Sequence, residues 1–374
     1  MEATQIYDIV NSINNQSLGI TELTVVDNQG LVALGNTILN SSTLTDNFLN
    51  SLVLRIGRTI ISYRQYKSMF DGITVDDFRW GNILQKIKVS MPTVEKDESY
   101  DLVDNGTVDM YKISKPKVNQ KLFTSETPYQ IKITIQRDKL EEAFTSDTSM
   151  GAFISAIFGE VQNAIELSLE NLGRNCLNNY IAEVSDKPTR AINLLNEYNT
   201  KTNRSLTLAS AMFDADFLRW AIGYIKLVSR KMTAMSKIYN DGTETRHTPK
   251  EMQQLYVLSD WETQFETCVQ YAAFNEEYVK LNGFVDLPYL QDVKTPTSIK
   301  IKRASDGVEK TLDNVVACLF DKDALGIYKK EKWASTTPFN SAGGYYNTYW
   351  HMKEMYFNDL SENFIVFYLE EEED

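Results

Sequence analysis

Hydrophobic residues recur every three or four positions through much of the chain, and this spacing predicts amphipathic α-helices. The longest stripe covers residues 148–185 and ends at the polar, proline-containing segment 185–188. Asp147, Thr148 or Ser149 is a suitable N-cap, and at 1.5 Å per residue the helix is roughly 50 Å long. The stripe consists of Ile154, Ile157, Val161, Ile165, Leu169, Leu172, Cys176 and Tyr180.

Shorter stripes predict further helices at 4–14, from Thr45 or Asp46 to a stop at Gly57, at about 209–239, and from Asp260 onward. Segment 15–44 is rich in Asn, Ser, Thr and Gly, which predicts an irregular arm with few core anchors. The apolar positions of these helices are Ile6, Ile9, Val10 and Ile13; Phe48, Leu49, Leu52, Val53 and Ile56; Phe217, Ala221, Tyr224, Ile225, Val228, Met232 and Met235; and Phe265, Cys268 and Ala272.

Two segments alternate with a period of two, which predicts β-strands. In 85–91, Ile87, Val89 and Met91 share one face and Lys86, Lys88 and Ser90 the other; 129–135 repeats the pattern with Tyr129, Ile131, Ile133 and Ile135. Between them, Asn105-Gly106 predicts a small hairpin flanked by Tyr100, Leu102, Val108, Met110 and Ile113. Other strands are expected at 59–63, 255–258, 284–287, 315–320, 325–328, 345–357 and 363–369. The fold class is therefore α+β.

The charge balance limits which partners the chain can hold. With 38 basic and 51 acidic residues the net charge is −13, which argues against a surface that grips nucleic acid through many phosphate contacts. Arg230, Lys231 and Lys237 are the candidates for local attraction, although a favourable helix-dipole position explains them as well. The acidic run 370–374 is expected to be a solvated tail.

Three scattered cysteines, Cys176, Cys268 and Cys318, fit neither a disulfide framework nor a metal knuckle, and each is expected to be a buried free thiol. We expect no signal peptide, because the first ten residues carry no basic start and no long apolar run. No window reaches eighteen uninterrupted apolar residues, so no membrane span is expected. These features favour a protein that folds in a cytoplasm.

The sequence offers little for catalysis. A Ser-His-Asp or Cys-His centre needs a histidine beside a nucleophile and an orienting acid. His247 lies in a polar loop and His351 in an aromatic strand, and neither has a metal-ligand neighbour at the usual spacing. We therefore predict no catalytic residue, no cofactor and no metal.

Other residues that could carry chemistry have ordinary structural explanations. Asp321-Lys322-Asp323 could be a carboxylate pair but is expected to be a surface turn between strands, and Gly343-Gly344 lacks a phosphate-loop frame and is expected to be a turn. Glu166 and Glu170 share a helix face, which is expected to be solvated or part of an interface. The aromatic run could stack sugars or bases, but we expect a core face plus a subunit contact. It contains Tyr345, Tyr346, Tyr349 and Trp350.

Several segments resemble the major capsid protein of small tailed bacteriophages of the phi-29 type, a podophage family with the Hong Kong 97-type capsid fold. None is diagnostic alone, but together they touch nearly the whole chain. The matching segments are YDIVNSI at 7–13, DNFLNSLVLRIG at 46–57, AFTS at 143–146, AFISAIF at 152–158, LFDKD at 319–323, YYNTYWH at 345–351 and NFIVF at 363–367.

The resemblance implies a division of the chain, with the 148–185 helix as the spine and 85–136 as an extended loop that reaches over an adjacent subunit. It also implies that the chain lacks the C-terminal immunoglobulin-like domain of some relatives, and that its scaffolding protein is separate. The implied parts are an N-terminal arm with first helices (1–60), a strand and extended hairpin loop (61–136), a peripheral domain with the spine helix (137–204), a mainly axial domain (205–335), and closing strands with an acidic tail (336–374).

On this resemblance the expected function is that of a major head protein that self-assembles into an icosahedral or prolate shell around a double-stranded DNA genome. Implied partners are further copies in pentameric and hexameric capsomers, the scaffolding protein, a portal protein and DNA bound without sequence specificity. The chain is expected in the host cytoplasm and then in the virion. An encapsulin-like nanocompartment shell and a carboxylate-based glycan hydrolase are the alternatives. The candidate inter-subunit contacts are Lys86, Lys88, Asn105, Gly106 and Tyr111.

Overall fold

The computed structural model of the chain describes residues 3–20, 24–56, 66–75, 83–97, 100, 103–107, 109–111, 113–266 and 284–371. Within these residues the chain contains both α-helices and β-strands, as in an α+β protein. The α-helices are α1 (Ala3–Ile13), α2 (Asn28–Leu39), α3 (Ser42–Ile56), α4 (Arg137–Ala143), α5 (Asp147–Val184), α6 (Leu194–Thr202), α7 (Leu208–Ala211), α8 (Ala215–Met232) and α9 (Ser259–Phe265).

The strands belong to two sheets and two isolated ribbons. One sheet has the order β1-β11-β12-β4 and the other β5-β13-β10-β6-β7, while β2 pairs with β3 and β8 with β9. The strands are β1 (Thr74–Val75), β2 (Leu84–Val89), β3 (Val118–Phe123), β4 (Glu126–Gln136), β5 (Ala191–Asn193), β6 (Gln253–Leu258), β7 (Phe284–Leu287), β8 (Ile299–Lys302), β9 (Glu309–Leu312), β10 (Val315–Asp321), β11 (Leu325–Thr336), β12 (Tyr345–Asn358) and β13 (Phe364–Tyr368).

The chain divides into two compact units. The first takes its residues from Met1–Trp80, Glu126–Asn175 and Ile327–Tyr356, and the second from Gly81–Ser125, Cys176–Gly326 and Phe357–Asp374. Each unit has its own apolar core, against which its helices and its sheet pack.

The first unit packs the four-stranded sheet and the N-terminal helices around one core. β12 runs antiparallel to β4 through eleven consecutive pairs, from Tyr345 opposite Gln136 to Met355 opposite Glu126. Along β4 the apolar residues turn inward and the polar ones outward, as the period-two pattern predicted. The predicted strands 129–135 and 345–357 are confirmed.

The long helix is confirmed as α5, which runs for 38 residues. Its stripe is largely buried, including Ile154, Val161 and Leu169. Gly173 lies where a Cβ atom would come within 2.5 Å of the Phe70 ring. The glycine therefore allows a close approach that outweighs its cost of about 1 kcal/mol in a helix.

The prediction of an irregular arm over 15–44 is wrong. Residues 14–18 form a π-helical turn and 28–39 form α2, whose side chains Leu31, Leu34 and Ile38 are buried. Asp27 caps this helix, with its carboxylate accepting from Gly30 N at 2.7 Å. The polar composition concealed three core anchors at helical spacing.

The predicted start of the next helix is also wrong, because α3 begins at Ser42. Thr45 lies inside it, and its hydroxyl donates to the carbonyl oxygen of Ile38 at 2.9 Å. The helix ends at Ile56, one residue before the predicted stop. The predicted strand 59–63 lies outside the described residues.

In the second unit the five-stranded sheet packs against α6 and α8. Every residue of β10 is buried, which is typical of a central strand covered on both faces. The predicted helix 209–239 is wrong in its extent, since the chain forms the short α7 and then α8, which ends at Met232. Asp214 interrupts the two because its carboxylate caps α8, accepting from Phe217 N at 2.7 Å. Met235 lies beyond the helix and is exposed.

The remaining strand predictions in this unit, at 255–258, 284–287, 315–320 and 363–369, are confirmed within two residues at each end. The helix predicted from Asp260 is present as α9 as far as Phe265, and its continuation to Cys268 and Ala272 lies outside the described residues.

Candidate assembly surface

The β2–β3 ribbon has two chemically different faces. Its register pairs Leu84 with Phe123, Lys86 with Lys121, and Val89 with Val118. Successive residues of a strand point to opposite faces, and burial alternates along both strands. The charged row is turned toward the chain's own second unit, and the apolar row faces outward. The outward residues are Gln85, Ile87, Val89, Val118, Gln120 and Leu122.

The inward face ends on two carboxylates in the turn between β12 and β13. Lys86 and Lys88 each lie 2.9 Å from an Asp359 carboxylate oxygen and 2.8 Å from one of Glu362. Lys121 donates to the other Asp359 oxygen at 2.8 Å. The side chain of Asp359 has no solvent exposure and that of Lys88 only 7%. Breaking such a buried ion pair by removing one partner typically costs about 3–5 kcal/mol.

The two carboxyls are held in their charged form. Burial alone would raise the pKa of Asp359, but hydrogen bonds from Lys121 and Lys86 outweigh it and hold that pKa far below its ordinary value. Burial likewise opposes hydrogen bonds from Lys86 and Lys88 at Glu362, and the net effect lowers its pKa. For Lys86, burial lowers the pKa, but the hydrogen bonds to Glu362 and Asp359 raise it by more, so the pKa lies above its ordinary value. These three groups are therefore fully charged at neutral pH.

Neighbouring contacts extend this attachment along both strands. Asn119 donates to a Glu244 carboxylate oxygen at 2.5 Å, and Lys86 donates to the carbonyl oxygen of Asp323 at 3.1 Å. At the other end of the ribbon the rings of Phe123 and Phe357 lie 5.0 Å apart. The inward face thus has three further points of attachment to the second unit besides Asp359 and Glu362.

The outward face is apolar and exposed. Ile87 and Val89 are each 61% exposed, and Val118 and Leu122 are exposed by more than half. Met91 and Val94 continue the exposed apolar residues beyond β2. Contiguous apolar surface of this kind marks a site of protein contact.

The predicted hairpin at Asn105-Gly106 is only partly right. Asn105 adopts a left-handed backbone with φ 67°, and Gly106 N donates to the carbonyl oxygen of Val103 at 2.8 Å, so a turn is present. Among the described residues between 90 and 117, however, none lies in a strand. The hairpin is formed instead by β2 and β3, with Tyr111 exposed in the connection.

The structure therefore brings Lys86 and Lys88 together on the inward side of the ribbon and leaves Asn105, Gly106 and Tyr111 in the connection between its strands. Contact of these five residues with a neighbouring subunit stays a prediction. Sequence reasoning missed Asp359 and Glu362; Asp359 lies 271 residues after Lys88 along the chain. It also missed β3, whose sequence VNQKLF does not alternate between apolar and polar residues.

The histidines and cysteines considered for catalysis each have their own local surroundings. His247 is exposed in a loop, and the His351 ring stacks on Trp333 with centroids 3.9 Å apart. Burial raises the pKa of the Cys176 thiol to about 12, which opposes a role as a nucleophile. Cys318 is also buried and free, and Cys268 lies outside the described residues.

Two expectations about acidic residues need correction. The turn expected at Asp321-Lys322-Asp323 is present between β10 and β11, with Lys322 and Asp323 exposed. Asp321 itself is buried, and its carboxylate accepts from the Thr248 hydroxyl at 2.7 Å. Glu170 is buried in an ion pair with Arg174, not solvated. In both cases a local polar environment that the sequence does not reveal compensates the charge or the hydrogen-bonding capacity.

The side chains of the aromatic run alternate between the two faces of β12. Tyr346 and Trp350 are buried in the core of the first unit, while Tyr345 and Tyr349 are half-buried on the opposite face. The core face is therefore confirmed, and the subunit contact stays a prediction. Gly343-Gly344 lies in the turn before β12, with Gly344 at φ 66°, as predicted.

Two negative findings hold for the part of the chain that the structure describes. There, His, Cys, Asp and Glu side chains do not form a group of three or more that could hold a metal ion. The helices in that part are also too short or too polar to cross a membrane.

Comparisons with known proteins give one consistent result. A family model described as Phi29-like phage major capsid protein matches residues 8–368. The chain is 23% identical to the major capsid protein of Bacillus phage GA-1 over 375 residues, which cover 97% of this chain and 69% of that protein. It is 24% identical to the major capsid protein of Bacillus phage PZA over 377 residues, covering 97% and 73%.

Solved capsid structures share the fold at lower identity. The capsid structure of Staphylococcus phage Andhra matches with a TM-score of 0.55 and 11% identity, over 84% of this chain and 87% of that one. That of Cyanophage P-SCSP1u matches with a TM-score of 0.51 and 13% identity, over 84% and 92%. The α+β, Hong Kong 97-type fold inferred from the sequence is confirmed by this likeness.

Proposed function

Because this chain belongs to the Phi29-like phage major capsid protein family, we propose that its copies join into the virion shell through the outward face of the β2–β3 ribbon. The observation that carries this proposal is the orientation of the ribbon, which pairs Lys86, Lys88 and Lys121 with the chain's own carboxylates and leaves Val89 and Val118 in solvent. In a lone subunit that arrangement leaves apolar surface in water. A neighbouring copy that covers it removes the cost.

The proposal includes the connection between the two strands as a second part of the contact. Asn105, Gly106 and Tyr111 lie there, and Tyr111 is 80% exposed. Lys86 and Lys88 contribute indirectly, since they bind the ribbon to its own subunit. In a closed symmetric shell each copy gives and receives this contact, so weak single contacts add up.

Other parts of the proposal concern partners. We infer pentameric and hexameric capsomers, a separate scaffolding protein, a portal protein, packaged double-stranded DNA bound without sequence specificity, and assembly in the host cytoplasm. The net charge of −13 supports DNA that is enclosed but not gripped. The division into an arm, an extended loop, a peripheral domain and an axial domain, with the boundaries given above, is part of the same proposal, as is the absence of catalysis.

The test uses the cross-strand pair Val89 and Val118. Val89→Thr with Val118→Thr keeps the β-branched shape and the strand propensity but places two hydroxyls on the outward face. The matched control is Val293→Thr with Val308→Thr, two exposed valines of the same unit outside the ribbon. Each variant is supplied to cells infected with a phage that lacks the gene, and the particles that form are counted by electron microscopy.

We expect the ribbon variant to lower particle yield at least tenfold. A loss of about 1.4 kcal/mol in the binding free energy of each contact corresponds to a tenfold loss of affinity. The control should stay within twofold of the parent chain. Normal yield from the ribbon variant, with its fold intact by circular dichroism, would show that this face is not the contact.

A further inference from the structure

The acidic receptor for the ribbon also has contacts outside the ribbon. Asp359 accepts hydrogen bonds from Ser361 N at 3.1 Å and from the Ser361 hydroxyl at 2.7 Å. Its carbonyl oxygen accepts from the Tyr180 hydroxyl at 2.8 Å. Asp359 is therefore positioned by its own turn and by α5 as well as by the ribbon lysines.

A ribbon with one charged and one apolar face could in principle attach by either face. Attachment by the apolar face would place Ile87 and Val89 against Asp359 and would leave this fully buried carboxylate without a cation. Loss of one partner of a buried ion pair shifts an equilibrium by about a hundredfold to a thousandfold. The acids therefore discriminate strongly between the two faces.

We infer that Asp359 and Glu362 are positioning residues for assembly: by accepting only the lysine face of the ribbon, they determine that the apolar face is presented to the neighbouring copy. The inference rests on the proposed function, in which the neighbour binds that apolar face. An attachment by the apolar face would bury the surface that the neighbour needs.

Residues of β3 also bind acidic side chains, so both strands of the ribbon take part in the choice of the lysine face. Lys121 and Asn119 lie on the same face as Lys86 and Lys88. Asn119 donates to Glu244, and the Arg246 guanidinium lies 2.5 Å from Glu244 and 3.9 Å from Glu362. Turning the ribbon over would break the contacts of Lys121 and Asn119 together with those of Lys86 and Lys88.

The first experiment uses the full-length, unassembled chain with Asp359→Asn and Glu362→Gln, which keep the shape of both side chains but remove their charge. Trypsin cleavage after Lys86, Lys88 and Lys121 reports release of the inward face. Cleavage after Lys117, which is exposed in the connection, is the internal reference. The matched control is Asp306→Asn with Glu309→Gln, which neutralises exposed ion pairs of the same unit.

We expect cleavage at the three ribbon lysines to become at least tenfold faster, with cleavage at Lys117 unchanged and no change in the control. Particle yield in the complementation assay should fall at least tenfold. Unchanged protection of the three lysines, or normal particle yield from the released ribbon, would overturn the inference.

A second variant separates positioning from folding, because buried lysines without partners can unfold the subunit. It adds Lys86→Gln, Lys88→Gln and Lys121→Gln to the two acid substitutions, so the cluster is neutral throughout. We expect a folded chain with a melting temperature near that of the parent, but a particle yield still reduced at least tenfold. Yield equal to the parent would mean that the charges serve stability alone.

The two proposals fail in distinguishable ways. If Val89→Thr with Val118→Thr assembles normally, the proposed surface is wrong. If that variant fails to assemble while the neutral cluster assembles normally, the surface stands and the positioning role of Asp359 and Glu362 is wrong.

Discussion

Strands β2 and β4 have nearly the same sequence pattern but bury opposite faces. β2 contains Lys86, Ile87 and Lys88 in succession, and β4 contains Ile131, Lys132 and Ile133. In β4 the isoleucines face the core of the first unit and Lys132 lies on the exposed face, 5.6 Å from the Tyr349 ring. In β2 the lysines are inward and Ile87 is in solvent. Alternation defines two faces, but it does not say which one is buried.

The largest expected difference between these strands comes from an isoleucine-to-lysine change in each. Ile135→Lys in β4 buries an unpaired charge at a position that is 3% exposed and should cost about 4 kcal/mol or more of unfolding free energy. Ile87→Lys in β2 should change it by no more than about 0.5 kcal/mol. Urea unfolding of the unassembled subunit measures both, and equal losses would mean that the outward face of β2 is covered within the subunit.

A smaller difference is expected on acidification. The lowered pKa values of Asp359 and Glu362 mean that their contribution is complete above the ordinary carboxyl pKa of about 4 and is lost as pH falls below it. The raised pKa of Lys86 places its own loss at the alkaline end, above about pH 10. Other charged groups facing the cluster are Lys88, Lys121, Glu244 and Arg246.

We therefore expect amide hydrogen exchange in β2 and β3 to accelerate between about pH 4 and pH 2, once intrinsic exchange rates are corrected for. Exchange in β4 and β12 should keep its protection over the upper part of that range, because the inward face of β4 is apolar. Simultaneous loss of protection in all four strands would mean that the ion cluster does not control the ribbon separately.

The smallest effect is expected at the Asn105-Gly106 turn. Asn105→Ala places an alanine in a left-handed conformation, at a local cost of about 1–2 kcal/mol, but the turn is exposed and makes no core contact. Global unfolding should shift by less than about 0.5 kcal/mol, whereas particle yield should fall a few-fold if the turn touches a neighbour. Asn105→Gly, which tolerates this backbone, should restore the yield.

Much of the fold was predictable because its signals are local. The stripe of α5, the strands 345–357 and 363–369, and the resemblance to the phi-29-type capsid family all follow from neighbouring residues, and all are confirmed. The helix α2 was missed because Asn and Gly interrupt three good core anchors. The wrong extent of α8 comes from Asp214, which breaks a continuous apolar stripe by capping.

The inward face of the ribbon could not be predicted from nearby sequence. Lys88 acquires its position from Asp359, which lies 271 residues away, and nothing in the segment around either residue indicates the pairing. The polar turn between two aromatic strands, residues 358–363, is the one available signal. Acids in such a turn are ordinarily solvated, so their burial is visible only in three dimensions.

The register of β2 and β3 also constrains how the gene can change in length. Since side chains alternate, inserting one residue into β2 between Leu84 and Lys86 would turn every following side chain to the opposite face, whereas inserting two would restore the original arrangement. Insertions in the connection need not add an even number of residues, because the described residues 90–117 do not pair with another strand. Length variation among functional descendants of this gene should therefore accumulate in the connection and be almost absent from the six paired positions of each strand.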